Sequence, residues 1–330
     1  MRVGLIGAGR IGANHARIVS QLPSVDELLI ADLAEDRAVE LASTLVNASQ
    51  KSLDELLASS EALIIASSTD THADLLVRAA KAGLPTFCEK PIALDLASTR
   101  EAVIAIETSG ITVQMGFQRR YDPGIRAVRE AVKSGDAGVI FLVRSQTHDP
   151  SPPPIDYIPN SGGIFKDCLI HDIDAVRYVT GQEVTEVAAF GTEVGHPDIA
   201  AHGDYGTAAA LFVMSDGTLA QISGMRLDPN GYDVRLEVFG SKRALAAGWS
   251  ERTPITSTEP GTTPPPDPIS TFWDRFDAAY RAELESFLRV AAGSELPACV
   301  PDDALQDLRV AEACSRSAAE KRTVALDEIE

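Results

Sequence analysis

Val3-Gly4-Leu5-Ile6-Gly7-Ala8-Gly9-Arg10-Ile11-Gly12 decides how this chain is read. A short apolar run enters Gly-x-Gly-x-x-Gly and then an amphipathic stretch, which spells strand, tight turn and helix. Glycines in such a turn permit the turn itself, close backbone approach to a pyrophosphate, and close helix–strand packing. The free N–H groups and dipole of the helix N-terminus favour the same anion. Three glycines at these offsets are a weak signal alone, so the surroundings must carry it. The run from Met1 to Ile6 is too short for a secretory leader and reads as a strand. Asp32 ends the next apolar run, 20 residues after Gly12. A carboxylate there accepts hydrogen bonds from adenosine ribose hydroxyls and repels a 2′-phosphate, which favours NAD over NADP.

Outward from that motif, β-rich runs at Leu28 to Ala31, Ala62 to Ala66, Thr86 to Cys88 and Thr112 to Met115 alternate with amphipathic stretches. This is the pattern of βαβ units on a parallel sheet. Ser52 with Glu55 forms a capping box, and Gly83 and Gly110 stand where helices should end. Ser67, Thr69 and His72 follow a strand, where they either line the cofactor cleft or cap the next helix. After Gly116 the rhythm changes. A helix is expected near Pro123 to Ser134, a strand near Val139 to Thr147, a proline-rich passage from Pro150 to Pro159, and a loop entering a helix from Gly162 to Thr180. Strands follow at Val184 to Gly195, Thr207 to Ser215, Thr218 to Met225 and Val234 to Gly240, the middle two joined as a hairpin through Asp216-Gly217. Helices at Phe272 to Ala292 and Asp303 to Lys321 close the chain. The expectation is an α/β protein, with an N-terminal Rossmann dinucleotide-binding domain over residues 1–120 and a C-terminal α+β domain with a largely antiparallel sheet over residues 121–330.

Composition removes other classes. With 48 acidic against 29 basic side chains in 330 residues, a net charge of −19 and 5% aromatics, the chain lacks the basic footprint and stacking surface of a nucleic-acid binder. No apolar run approaches the roughly 18 residues of a membrane span. Cys88, Cys168, Cys299 and Cys314 show no C-x-x-C spacing, which speaks against a zinc ribbon or a disulfide framework and for a reducing cytoplasm. No metal is expected.

Hydride transfer from a secondary alcohol needs a base for the hydroxyl proton and a group to hold the developing alkoxide. Glu89-Lys90-Pro91 lies just past a strand end and projects Lys90 into the crevice. Gly162-Gly163 followed by Asp167, His171 and Asp174 places three ionisable groups at i, i+4 and i+7, hence on one helical face. His148 and Asp149 precede the proline-rich passage and are expected to reach substrate from the opposite wall.

The N-terminal glycine motif, Glu89-Lys90-Pro91, and Gly162-Gly163-x-x-x-Asp167-x-x-x-His171-x-x-Asp174 together resemble the glucose-fructose oxidoreductase and inositol dehydrogenase family (Gfo/Idh/MocA). The order and spacing extend over nearly the whole chain. Within the family, Gly116 to Pro123 and Asp149 to Pro154 look most like the inositol 2-dehydrogenases. The resemblance implies a second-domain sheet with an open face, through which dimers or tetramers form. It also implies NAD-dependent oxidation of a polyol or sugar, first of all myo-inositol to 2-keto-myo-inositol, with Lys90, Asp167 and His171 as catalytic residues. Substrate contacts are then expected from those three, from His148 and Asp149, and from Tyr232 and Tyr280. Cofactor contacts are expected from Gly7, Gly9, Arg10, Ile11, Gly12, Asp32, Ser67, Thr69, His72, Glu89 and Lys90. In this scheme His171 takes the proton, Asp167 orients or relays it, and Lys90 stabilises the alkoxide. Imidazole titrates near pH 6.5 when unperturbed, so oxidation should rise with pH. The competing readings are a dehydrogenase for another sugar or cyclitol, a glycosidase using NAD transiently, and a non-catalytic NAD sensor.

Overall fold

A computed structural model describes all residues from Met1 to Glu330. They form two compact units, Met1–Gln118 with Ala278–Gln306, and Arg119–Asp277 with Asp307–Glu330.

The first unit alternates β1 (Arg2–Ile6), α1 (Arg10–Val19), β2 (Glu27–Ala31), α2 (Glu35–Ser43), β3 (Ala48–Gln50), α3 (Leu53–Ser59), β4 (Ala62–Ile65), α4 (Thr69–Ala82), β5 (Thr86–Glu89), α5 (Leu96–Ser109) and β6 (Val113–Gly116). All strand pairs are parallel, in the order β3-β2-β1-β4-β5-β6. The order reverses beside β1, so the carboxyl ends of β1 and β4 frame the crevice where such sheets bind ligands. β4 is buried along its whole length because helices cover both faces, which is why it reads as an unbroken apolar run. The capping box forms, with the Glu55 N–H donating to Ser52 Oγ and the Ser52 N–H to Glu55 Oε2. Gly83 and Gly110 end α4 and α5 in the left-handed region. The sequence pattern does not reveal β3, a three-residue edge strand with no fully buried residue and so no periodicity to detect.

At the other edge, the Met115 N–H donates to the Cys299 carbonyl (2.9 Å) and the buried Gln114 amide to the Glu283 carbonyl (3.2 Å). These bonds satisfy groups that an open edge would leave bare. They also explain why Ala278–Gln306 belongs to this unit, whereas the sequence pattern places everything after residue 120 in the second domain. No local signal marks a return across 169 residues.

The second unit contains α6 (Pro123–Lys133), β7 (Ile140–His148), α7 (Ile164–Asp167), α8 (Ile170–Thr180), β8 (Val184–Thr192), α9 (Pro197–Ala200), β9 (Thr207–Met214), β10 (Leu219–Met225), β11 (Asp233–Gly240) and β12 (Ala244–Ala247). α10 (Phe272–Ala291), α11 (Pro301–Glu320) and β13 (Val324–Ala325) complete the chain, and the unit boundaries fall inside α10 and α11. The sheet order is β12-β11-β7-β10-β9-β8-β13. The hairpin β9–β10 turns at Gly217 with φ +88°. Strands in series imply antiparallel pairing, but β7 and β10 run parallel, from Leu142 opposite Leu219 to His148 opposite Met225. The chain leaves β7 through α7 and α8, so β8 does not pair with β7 and β10 takes that place. As a result two carboxyl strand ends lie side by side, delivering His148-Asp149 and Arg226.

One sheet face packs on α8, which touches both β7 and β10. The other presents Phe190, Leu211 and Leu219 at 70, 56 and 51% exposure. Buried ion pairs tie helices to this unit: Arg120 donates twice to Asp174 Oδ1 (2.8 and 2.6 Å), and Arg177 bridges Asp307 and Glu183. Burial pushes the Asp307 carboxyl well above its usual range, and nearby Asp174 adds to this against the opposing pull of Arg177. All four cysteines are free and buried. No helix is long and apolar enough to cross a membrane.

Candidate active site

The three glycines of the first turn stand in three different surroundings. Gly7 has φ +103°, and a Cβ there would lie 2.6 Å from the Ala66 carbonyl and the Ser67 backbone. At Gly12 a Cβ would stand 1.9 Å from the Gly7 carbonyl, because α1 presses on the turn. At Gly9 a Cβ would meet nothing within 4 Å. The fold itself does not demand glycine at position 9, which faces open space at the N-terminus of α1. Asp32 closes the turn from the end of β2: Oδ2 accepts from the Ala8 N–H (2.7 Å) and Oδ1 from the Ala34 N–H (2.8 Å). Each oxygen keeps a second lone pair suited to a ribose hydroxyl. Arg37 lies 3.7 Å from Oδ1 but is 58% exposed, so it neutralises the carboxylate only weakly. Arg10 is exposed at the first position of α1, with Ile11 half-buried beside it.

Ser67 and Thr69 follow β4, with Ser67 Oγ 2.7 Å from Thr71 Oγ1. His72 does not line a cleft as expected. It is 1% exposed, with Nδ1 2.8 Å from the Pro91 carbonyl and Nε2 3.1 Å from the Ser67 carbonyl. Both ring nitrogens thus face main-chain carbonyls, and His72 ties the loop after β4 to the loop carrying Lys90. Burial lowers its pKa against the weaker pull of those carbonyls.

Glu89 ends β5, and Lys90, the next residue, is half-buried. Glu89 Oε1 accepts from His15 Nε2 (2.7 Å), a fully buried imidazole on α1 whose Nδ1 meets no hydrogen-bond partner. Nothing local in the sequence points to this pairing, since Glu89 is 74 residues away. Tyr280 also lies in this unit, 5% exposed, with its ring 5.9 Å from the His15 ring.

In the second unit the predicted helical face does not exist. α7 ends at Asp167 and α8 begins at Ile170, so Asp167 and His171 come from two successive helices. Asp174 is fully buried on Arg120 and belongs to the framework. Asp167 is held at both oxygens: Oδ1 accepts from the Tyr157 hydroxyl (2.9 Å) and Oδ2 from Arg226 Nη1 (3.1 Å). Neither partner is foreseeable from spacing, because Tyr157 sits in the proline-rich passage and Arg226 just past a strand end. Lys166 pairs with Glu312 at 2.7 Å.

Cys168 Sγ lies 3.9 Å from Asp149 Oδ2, and burial together with the surrounding carboxylates pushes the thiol well above its usual pKa. Tyr232 is 5% exposed, packed on Phe272 and Phe276, and burial raises its phenol so that it stays a donor. His148 Nδ1 is 3.5 Å from Asp228 Oδ2. Asp233 completes a cluster whose ligand atoms lie within 4.8 Å of one another, but its carboxylate is already engaged by Arg235 and Gln146.

Residues 1–117 match the model of an oxidoreductase family with an NAD-binding Rossmann fold, and residues 125–246 match the Gfo/Idh/MocA C-terminal domain. The chain belongs to that family. It is an oxidoreductase acting on CH–OH groups, and its cofactor is NAD. The Gfo/Idh/MocA relatives include the inositol 2-dehydrogenase of Rhizobium meliloti, 39% identical with 99% of each chain covered. The myo-inositol 2-dehydrogenase of Thermotoga maritima is 36% identical over 100% of this chain and 99% of its own. The structure of a Lactobacillus casei scyllo-inositol dehydrogenase with bound NAD(H) and scyllo-inositol superposes with a TM-score of 0.89, at 27% identity, covering 99% of each chain.

Proposed function

We propose that this chain is an NAD-dependent inositol 2-dehydrogenase, oxidising a ring secondary alcohol of myo-inositol to 2-keto-myo-inositol. Full-length similarity to proteins of that name, at 36 and 39% identity, carries the reading. Lys90, Asp167 and His171 support it, because together they meet the needs of alcohol oxidation. NAD, when bound, supplies the hydride acceptor. His171 accepts the hydroxyl proton, Asp167 orients the exchange, and Lys90 donates a hydrogen bond to the oxygen as charge develops on it.

Gly7, Gly9, Arg10, Ile11 and Gly12 serve the pyrophosphate and Asp32 the ribose, while Ser67, Thr69, Glu89 and Lys90 complete the coenzyme contacts. The remaining ring hydroxyls are met by His148, Asp149, Tyr232 and Tyr280. The unit of Met1–Gln118 with Ala278–Gln306 serves the coenzyme and contributes Lys90 and Tyr280, and the unit of Arg119–Asp277 with Asp307–Glu330 serves substrate and assembly. The open sheet face with Phe190, Leu211 and Leu219 buries itself against further copies, giving a dimer or tetramer that works in the cytoplasm.

The test is NADH absorbance with the purified protein, a panel of inositol isomers and pyranoses, and NAD and NADP in parallel. Myo-inositol with NAD should give the highest kcat/KM. A faster pyranose, a preference for NADP, or no sustained NADH production overturns the proposal.

A further inference from the structure

β10 ends at Met225, and the next residue is an arginine with only 1% of its side chain exposed. Arg226 Nη1 donates to Asp167 Oδ2 (3.1 Å), Nη2 to Asp204 Oδ2 (2.8 Å), and its main-chain N–H to the Gly206 carbonyl (2.9 Å). Asp204 Oδ1 in turn accepts from the Ile164 N–H (2.9 Å). Ile164 opens α7 and Asp167 closes it, so one guanidinium governs both ends of this four-residue helix. Burial works against the charge on Arg226, but Asp167 and Asp204 more than offset it, and its pKa is raised. A buried cation of this kind is tolerated only with partners in place. The planar fork of arginine spans two carboxylates, which the point charge of lysine does not.

We propose that Arg226 is the positioning residue of Asp167, fixing the plane of its carboxylate so that Asp167 orients the proton acceptor and does not carry the proton. The proposal rests on the roles given above to Asp167 and His171. The charged and titratable groups around the pair are Asp204 before β9, Tyr157 in the proline-rich passage, Cys168 after α7 and Asp149 at the end of β7.

The experiment compares Arg226→Gln, Arg226→Lys, Asp167→Asn and the double variant Arg226→Gln/Asp167→Asn. Arg226→Gln should lower kcat at least ~10-fold while leaving the KM for NAD within about 2-fold. The acid limb of the kcat/KM profile should move to higher pH, since a cation that favours the deprotonated forms nearby is gone. Arg226→Lys should restore the limb but not the full kcat. In the Asp167→Asn background, Arg226→Gln should cost less than about 2-fold, because its target is already lost. An unshifted limb with the same loss in both backgrounds overturns the proposal. If the glutamine variant does not fold, the lysine variant supplies the kcat part of the cycle alone: its loss should shrink in the Asp167→Asn background, and an equal loss in both backgrounds overturns the proposal. Crystal structures of the wild type and of a folded variant add an independent measurement: the Asp167 carboxylate should turn away from its wild-type contact with Tyr157, and an unmoved carboxylate overturns the proposal. If the wild type oxidises no cyclitol, the functional reading falls alone, because those crystal structures still test Arg226.

Discussion

In the first unit the groups proposed to meet the coenzyme are largely main chain: a glycine turn, a helix N-terminus, and a carboxylate held by two backbone N–H groups. In the second unit the proposed reacting groups are side chains fixed by other side chains, with Asp167 held by Tyr157 and Arg226, and Arg226 shared with Asp204. A site built from backbone is dictated by conformational demands on a few adjacent residues, so it leaves a local signature. A site built from side chains depends on whatever the sheet topology brings beside it. Asp167 and Arg226 are 59 residues apart and meet because α7 packs against β9, the antiparallel neighbour of β10.

The largest expected effect tests whether the two units serve one reaction. Lys90→Ala in the first unit and His171→Gln in the second should each lower turnover by about 100- to 10,000-fold, the usual reach of acid–base groups. NAD affinity, followed by fluorescence titration, should change far less than turnover in both. Unchanged turnover in either variant would remove that unit from the chemistry.

A second contrast lies inside the glycine turn. Gly12→Ala forces a Cβ against the Gly7 carbonyl and should cost about 1–3 kcal/mol or more, visible as a lower Tm. Gly9→Ala meets open space and should leave Tm within about 2 °C, yet weaken NAD at least ~10-fold. If both variants behaved alike, the division between glycines needed by the fold and the glycine needed by the ligand would fail.

The smallest effect concerns pH. Because burial depresses the His72 pKa, the folded state binds fewer protons than the unfolded chain below about pH 6.5. Its contribution is therefore complete above that pH and is lost as pH falls toward the depressed value, with a slope of at most about one proton. Urea unfolding at pH 7.5 and 5.5 should show this loss, and His72→Gln should reduce it. An identical pH slope in the variant would show that His72 does not titrate between the two states.

The parallel sheet of the first unit is legible almost strand by strand, because buried βαβ units leave apolar runs punctuated by caps and glycines. Only β3 escapes, being short and half-buried. Legibility falls where partners are remote. The i, i+4, i+7 spacing of Asp167, His171 and Asp174 suggests one helix, yet the chain breaks at Cys168 and Leu169, and buried Arg120 takes Asp174. His72 shows the same limit: its position after a strand is plain from the sequence, but the two carbonyls that claim its ring are not.

What the sequence by itself determined is the glycine turn and the alternation that builds the parallel sheet, since each follows from the needs of neighbouring residues. Tertiary structure alone decided the parallel β7–β10 contact, the return of Ala278–Gln306 to the first unit, and the bridging of Asp167 and Asp204 by Arg226. Those features rest on hydrogen bonds and ion pairs between residues far apart in the chain, and local sequence has no means of encoding which distant group will meet a buried charge.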